Sequence, residues 1–387
     1  MKTLIITFFL LSSLTSFSQR FKIVANLSGE GDAIKVESID PNKMTHLIYT
    51  HATISNGKVA SDVSRTNDAT NLKNLQTLKA INPDLKILIS IGGNKFSGGY
   101  AEATGTDDNR ELFITSILVF IEKYQLDGVE LNWVMVPTGK FENKYNAADH
   151  YNYALLIEDL RVALDDKSRM KGKRSKDFYT LCVGGSNKRQ YLMNSKFKFV
   201  IDDIDFINMQ TYDYNVEILS GGGVSKAPIS GHQGNLFGSR SDAWPRRSVD
   251  QTITEYKTFG LPLDKLVLGI AFHGRGWVNV HGEGNGLCQM TDGPLMEDFS
   301  FRNLQKNYLH QKDFKHYWDK HAKASYLYNK ESAVFISYED KHSIRKKTSY
   351  IRKHKLAGAH INDLQEDHKT QLASTVKRGL RWIRLPF

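Results

Sequence analysis

Asp127-Gly-Val-Glu-Leu-Asn-Trp-Val134 reads as one short strand, over residues 128–133, with its flanking positions. Side chains two apart on a strand point the same way, so Glu130, Asn132 and Val134 share one face. An acid, an amide and a hydrocarbon therefore stand in line. The first two can exchange hydrogen bonds with a ligand, whereas a valine has no proton to give.

Apolar, β-branched runs recur on both sides of this stretch with helical segments between them, the pattern of alternating βα units and a parallel sheet. Candidate strands span residues 21–25, 45–49, 86–91, 128–133, 179–183, 205–210, 266–272 and 356–361. Eight is the number of a (β/α)8 TIM barrel, and 387 residues suit that α/β fold with an insertion. Leu112, Phe113, Ser116, Ile117 and Phe120 follow a helical period over 109–124, as Tyr153, Leu156, Leu160 and Leu164 do over 152–164. Residues 250–259 supply another helix, ended by Gly260-Leu-Pro262. The interval between strands seven and eight is too long for one helix. Strand-like pieces at 325–328 and 333–338 predict a small α+β lobe inserted there, at about 273–353. No internal repeat, low-complexity tract or linker divides the chain further, so 19–387 is expected to be one barrel with its lobe.

Further segments carry polar residues where strands should end: Lys86-Ile-Leu-Ile-Ser-Ile-Gly-Gly93, Phe206-Ile-Asn-Met-Gln-Thr-Tyr-Asp213, Leu266-Val-Leu-Gly-Ile-Ala-Phe-His-Gly-Arg275 and Gly358-Ala-His-Ile-Asn-Asp-Leu364. Arg110, Phe113 and Ser116 precede the fourth strand. Tyr317-Trp-Asp319 and Phe335-Ile-Ser-Tyr-Glu-Asp340, with Ser343 and Lys347, precede the eighth. In this order the set resembles the family 18 glycoside hydrolases, chitinases and their relatives, from about Phe21 to the last helix. Barrel enzymes place their chemistry at the C-terminal ends of the strands, where these motifs end.

The resemblance implies a specific defect. The family's fourth strand reads Asp-Gly-x-Asp-x-Asp-Trp-Glu, and its glutamate protonates the leaving sugar oxygen. Asp127, Gly128 and Trp133 match, while Glu130 and Asn132 replace the second and third acids and Val134 takes the place of the proton donor. In that mechanism the substrate's own acetamido oxygen attacks the anomeric carbon, so no second carboxylate nucleophile substitutes. A positioned general acid contributes on the order of 10²–10⁴ in rate. Glu130 lies four residues from position 134, roughly 13 Å along a strand, too far for one side chain to bridge. The bland reading, an ordinary core valine in some other barrel, sits poorly with the retained Asp127, Gly128 and Trp133.

The resemblance also implies a ligand site. Tyr212 occupies the place of a tyrosine that hydrogen-bonds the N-acetyl oxygen. Asp213 follows it, Arg275 takes the family arginine position, and Glu130 and Asn132 complete the candidate binding set. The ordinary alternatives are a buried structural tyrosine and a salt-bridged arginine. Several positions depart from the pattern: Asn362 replaces a stacking Trp, Asn94 stands where an aromatic often follows Gly-Gly, and Gln210 replaces a Met. His273 replaces a Tyr, and reads as a satisfied structural histidine, with pH sensing as its alternative. Trp244, Trp277 and Trp318 are candidate outer sugar faces, with Trp318 the best suited to the core.

Lys2, the apolar run 4–14 and Ser16-Phe-Ser18 read as a cleaved secretory signal over 1–18, too short for a membrane anchor. The expected product is secreted and extracellular, with no membrane span. Its basic excess, +10 for the whole chain, gathers locally at Lys171-Gly-Lys-Arg174, Arg345-Lys-Lys347 and Lys377-Arg-Gly-Leu-Arg381. Such clusters are ordinarily solvated surface, and the sharper reading is attraction to an anionic matrix. No nucleic-acid module is present, and no metal or cofactor is expected: the histidines lack zinc spacing and Gly221-Gly-Gly223 lacks the Lys-Ser/Thr of a phosphate loop. Two cysteines, Cys182 and Cys288, permit a disulfide without requiring one, and Asn26-Leu-Ser28 is a glycosylation sequon at a strand end. The expected function is a chitinase-like protein without chitinase activity that binds chitin oligomers or a related N-acetylglucosamine glycan. The alternative is an extracellular signalling, matrix or protein-interaction factor using the barrel as scaffold, and the third reading is a residual glycosidase.

Overall fold

The computed structural model describes residues 21–31, 33–61, 65–93, 96–133, 148–215, 229–240, 247–282 and 284–381. Val134, Asn94, Trp244, Gly221-Gly-Gly223 and the 1–18 segment lie outside these residues.

In chain order the strands begin with β1 (Lys22–Ser28), β2 (His46–Ser55) and its short hairpin partner β3 (Lys58–Ala60), then β4 (Lys86–Gly92), β5 (Gly128–Asn132), β6 (Thr180–Gly185), β7 (Phe206–Met209) and β8 (Leu266–Ile270). Five strands follow, β9 (Arg275–Val278), β10 (Gly293–Leu295), β11 (Lys315–Asp319), β12 (Ala324–Asn329) and β13 (Val334–Tyr338), before β14 (Gly358–Ile361). The order β1-β14-β8-β7-β6-β5-β4-β2, closed by β1 pairing with β2, is an eight-stranded barrel, and every one of these pairings is parallel. This is the (β/α)8 barrel expected from the sequence. The strands are near-continuous apolar runs because both faces are covered, as in β4, where Ile87 to Gly92 are all buried.

Alternation along the strands builds two cores. Ile23, Ala25, Val129 and Leu131 point outward into the layer beneath the helices. Val24, Ile48, Leu88, Cys182, Phe206 and Val267 pack together as a separate apolar cluster. These sit at the alternate positions, so they plug the lower barrel interior. Cys182 belongs to that plug, and no disulfide joins it to Cys288.

The helices are α1 (Asp68–Leu75), α2 (Tyr100–Thr104), α3 (Asp107–Lys123), α4 (Asp149–Met170), α5 (Arg189–Asn194), α6 (Val249–Thr258), α7 (Phe301–Asn307), α8 (Lys341–His354) and α9 (Gln371–Leu380). Side chains cap the starts of α3, α6, α7 and α8, through Thr106, Ser248, Ser300 and Asp340. Thr106 accepts from the Asn109 N–H at 3.2 Å ahead of α3, whose Phe113, Ile117 and Ile121 are buried. Asp340 and Ser343 form a capping box at α8.

β9 to β13 form a second, antiparallel sheet in the order β10-β9-β13-β12-β11. Its strands run from Arg275 to Tyr338, and the segment that follows, still inside the 273–353 interval, is α8, which packs against α9 and β14. Trp277 is 1% exposed inside this lobe, edge-on to Phe335, so it offers no outer face to a sugar. Trp318 is half-buried and stacks on His342 with ring centres 3.8 Å apart.

Candidate functional site

Above the apolar plug the barrel interior turns polar. A cavity of about 310 Å³ at the C-terminal strand ends is lined by side chains that include Asn26, Glu130, Asn132, Asn208, Tyr212 and His360. A second hollow of about 370 Å³ adjoins it over the lobe and shares Asn26, Glu30, His51 and Asn362 with it. Gly93 sits where the two strands β2 and β4 end, at φ +93°, and a Cβ there would lie 2.8 Å from the His51 ring.

The β5 side of this cavity is built from uncharged partners. Glu130 is 1% exposed, and its Oε1 accepts a hydrogen bond from Asn208 Nδ2 at 2.7 Å. Burial pushes its carboxyl above the usual range, against hydrogen bonds from Asn208 and Ser90 that pull it down. Burial likewise holds His360 down, at about 4, so that imidazole is neutral near pH 7. Asn132 reaches the cavity, while its backbone oxygen accepts from Gly93 N–H at 2.7 Å and from the Ser97 hydroxyl at 3.1 Å. Glu130 therefore lies at the floor, held by Asn208.

Asp127 is not in the cavity. It stands before the first residue of β5, at the opposite end of the strand, where Oδ2 accepts from Ile87 N–H at 2.8 Å and pairs with Lys79 at 2.7 Å. Its role here is to pin the connection between strands. The structure thus separates the four residues of the degenerate motif: Glu130 and Asn132 line the cavity, Asp127 does not, and Val134 falls outside the described residues.

The opposite wall is ionic. Asp213, at φ +57°, accepts two hydrogen bonds from Arg275, Nε at 2.8 Å and Nη2 at 2.7 Å. His273 bridges Asp213 and Glu366, with both ring nitrogens 3.2 Å from a carboxylate oxygen. Burial alone pushes the His273 imidazole down, but the two carboxylates outweigh it and raise it to about 9. Burial likewise pushes Asp213 up, and His273 and Arg275 outweigh that, holding its carboxyl well below the usual range. At neutral pH the wall is two cations interleaved with carboxylates, and His273 donates from both nitrogens. Asn362, in place of an indole, is built into the same network: its Oδ1 accepts from Phe272 N–H at 2.6 Å and its Nδ2 donates to Glu366 at 2.7 Å.

Tyr212 joins the two walls. Its ring lines the cavity and meets His273 edge-on, ring centres 6.0 Å apart, and burial beside Asp213 pushes its phenol up. Arg275 lines the adjoining hollow rather than the central cavity, and Asp213 lies behind it as its partner. Of the candidate binding set, then, Glu130, Asn132 and Tyr212 share the central cavity, while Asp213 and Arg275 form its supporting ionic wall.

Sequence reasoning missed Asn208, which holds Glu130, and Gln233, which donates to the His273 carbonyl at 3.0 Å and takes a hydrogen bond from the Asp213 N–H at 3.3 Å. Asn208 was readable, since it lies two residues from Gln210 on a strand already assigned. Gln233 lies in an irregular segment with no periodicity to mark it. Phe96 and His51 were also unmarked. Their rings sit 5.7 Å apart on the cavity wall. Asn26 lines the interior here, so its sequon faces the cavity rather than open solvent. Among the described residues no cluster of three His, Cys, Asp or Glu can hold a metal, and no helix is long and apolar enough to cross a membrane.

Residues 22–367 match glycosyl hydrolases family 18, and the chain belongs to that family. It is 33% identical to Chitinase A1 of Niallia circulans over 81% of this chain and 45% of that protein, so it spans under half that relative's length. A family 18 N-acetylglucosaminidase from Paenibacillus barengoltzii superimposes with a TM-score of 0.79 at 29% identity, covering 93% of this chain and 100% of that one. Human YKL-39, described as a pseudo-chitinase with retained chitooligosaccharide binding properties, shares the fold at a TM-score of 0.79 and 23% identity, covering 93% and 99%.

Proposed function

We propose that this chain is a secreted chitinase-like protein that binds N-acetylglucosamine oligomers and does not hydrolyse them. One observation carries the reading: an open, polar cavity stands at the strand ends while the sequence puts valine where the family places its proton donor. The amides of Asn26, Asn132 and Asn208 and the phenol of Tyr212 suit the hydroxyl and acetamide groups of a neutral sugar. Of the two carboxyls that line the cavity, Glu130 is committed to Asn208 at the floor, and Glu30 follows β1 rather than standing at the end of β5, where the family places its acid. YKL-39, which keeps sugar binding as a pseudo-chitinase, is a precedent for such a division. Relatives named as chitinases make hydrolysis the competing reading.

Calorimetry with N-acetylglucosamine oligomers of increasing length tests the binding half. Affinity should rise with length, and absence of heat at millimolar ligand removes the sugar-binding assignment in favour of a scaffold. A fluorogenic chitobioside tests the other half, where turnover comparable to active relatives removes the non-catalytic assignment. Recovery of the mature chain in culture medium, starting near Gln19, tests export.

A further inference from the structure

Between residues 341 and 381 the chain holds eleven Lys and Arg against three acids, Asp363, Glu366 and Asp367. All three acids lie in the connection after β14, at the cavity end of the barrel, and neither α8 nor α9 carries one. α8 buries Ile344, Tyr350 and Ile351 and leaves Arg345, Lys346, Arg352 and Lys353 exposed. α9 exposes Arg378, and Arg381 follows it at the surface. The two helices touch where Gly379 meets Thr348, since a Cβ on that glycine would lie 2.2 Å from the threonine hydroxyl. Both helices run away from the cavity end, and this contact sets the last turn of α9, with Arg378 and Arg381, against the middle of α8, where Arg345 and Arg352 lie one turn to either side of Thr348.

A charge run is ordinarily a solvated face, and another basic cluster of the chain shows what that looks like. Near the end of α4, Lys167 and Lys171 share Glu122, Arg169 pairs with Asp166, and Arg174 pairs with Asp177. That cluster is neutralised from within. On α8 and α9 the only pairing is that of Lys347 with Glu339, both buried, and none of the six exposed cations has an ion pair among the described residues. A helix C-terminus favours cations, which accounts for Arg352 and Lys353. It does not account for Arg345 and Lys346 in the first half, nor for Lys341 placed one turn before Arg345, where like charges repel.

The surface also lacks what other anionic partners require. No large exposed hydrophobic side chain lies on α8 or α9 to enter a bilayer, and Tyr350, at 5% exposure, offers no stacking platform for a base. From Arg345 to Lys353 the charges extend along about 12 Å of helix, a reach suited to repeated anionic groups on an extended polymer.

We propose that the α8–α9 face binds a linear acidic polysaccharide, one bearing sulfate or carboxylate groups along its length. This surface lies outside the sugar cavity, and it stands whether or not chitin oligomers bind there.

The test uses the full chain in a binding assay with a heparin oligosaccharide, polygalacturonate, neutral dextran and a DNA duplex, each at low and physiological salt. Two charge reversals, Arg345→Glu with Lys346→Glu and Arg378→Glu with Arg381→Glu, are compared with Lys306→Glu plus Lys312→Glu on the lobe, which changes net charge equally. The sulfated probe, the carboxylated one or both should bind, more weakly at higher salt. Each α8–α9 double variant should lose about 25-fold in affinity, at about fivefold per cation near an anionic surface. The lobe control should lose less than about threefold, through net charge alone. Thermal melts confirm that these exposed changes leave the fold intact. Failure of both acidic polysaccharides to bind, an equal loss in the control, or DNA bound as tightly through the same residues overturns the proposal.

Discussion

On one side of the cavity, β5 presents Glu130 and Asn132 among amides and hydroxyls; on the other, Asp213, His273, Arg275 and Glu366 form an ionic network that also ties the barrel to the lobe. The two walls have diverged from the family pattern in different ways. On β5 an amide stands at 132 and a valine at 134, where the family pattern has acids. On the opposite wall a tyrosine became His273 and an indole became Asn362, yet both replacements are hydrogen-bonded into place. The difference teaches that one barrel mouth is held together in two ways. One wall is packed through amides around a buried carboxyl, and the other through a web of charge.

The sharpest way to break this contrast is to restore the missing acid. Val134→Glu combined with Asn132→Asp should raise cleavage of a fluorogenic chitobioside by about 10²–10⁴ over the unmodified chain, the contribution of a positioned general acid. Val134→Gln with Asn132→Asp should not, because an amide donates no proton. If the acid variant folds, binds oligomers and still gains nothing, the opposite wall has lost catalytic geometry too.

Next in size is removal of a charge from the ionic wall. Asp213→Ala leaves Arg275 without its bidentate partner and His273 with one carboxylate instead of two. Arg275 is 39% exposed, so breaking this pair should cost less than a fully buried one, about 2–3 kcal/mol in chemical denaturation. Asn132→Ala removes an amide from a cavity edge and should cost about 1 kcal/mol. Similar losses at both sites would show that the two walls do not differ as described.

The contrast also explains what could be read from the chain and what could not. The barrel was legible because eight apolar strands recur with amphipathic helices between them, and Phe113, Ile117 and Ile121 of α3 fall on one helical stripe. Glu130 and Asn132 sharing a face followed from strand alternation alone. Asp127 belongs to the same contiguous motif, but β5 carries it to the far end, beside Lys79. The His273 network was not legible, since its members come from three separate segments, around positions 213, 273–275 and 366, and only closure of the barrel brings them together. Arg275 reads in sequence as a ligand contact or a salt-bridged residue, and three-dimensional proximity to Asp213 is what gives it that partner.

A comparable effect follows from protonation of the ionic wall. The folded-state value of His273 is about 9, against an ordinary 6.5. A raised value means that its contribution is fully present below pH 6.5 and is lost as pH rises through 9. The loss should be on the order of 2–3 kcal/mol across that window, at about 1.4 kcal/mol for each pH unit of displacement. Denaturation midpoints measured from pH 6 to 10 should fall in the unmodified chain and change far less in His273→Gln. A flat profile in the unmodified chain would mean that His273 is not held as an imidazolium.

The smallest expected effect lies on the β5 wall, at Glu130→Gln. Burial raises the Glu130 carboxyl, so folding favours its protonated form, and its contribution falls as pH climbs through the folded-state value. Glutamine keeps an oxygen to accept from Asn208 and gains an NH₂ that can donate to Ser90, while removing the titration. Stability near pH 6 should therefore change by less than about 1 kcal/mol. Toward pH 9 the variant should equal or exceed the unmodified chain, because nothing is left to ionise in a buried site. Oligomer affinity should hold as well, since the side chain lies at the floor and is 1% exposed. A large loss of stability at high pH would instead mean that an ionised Glu130 is holding the interior together, and the two walls of the cavity would then be alike in kind.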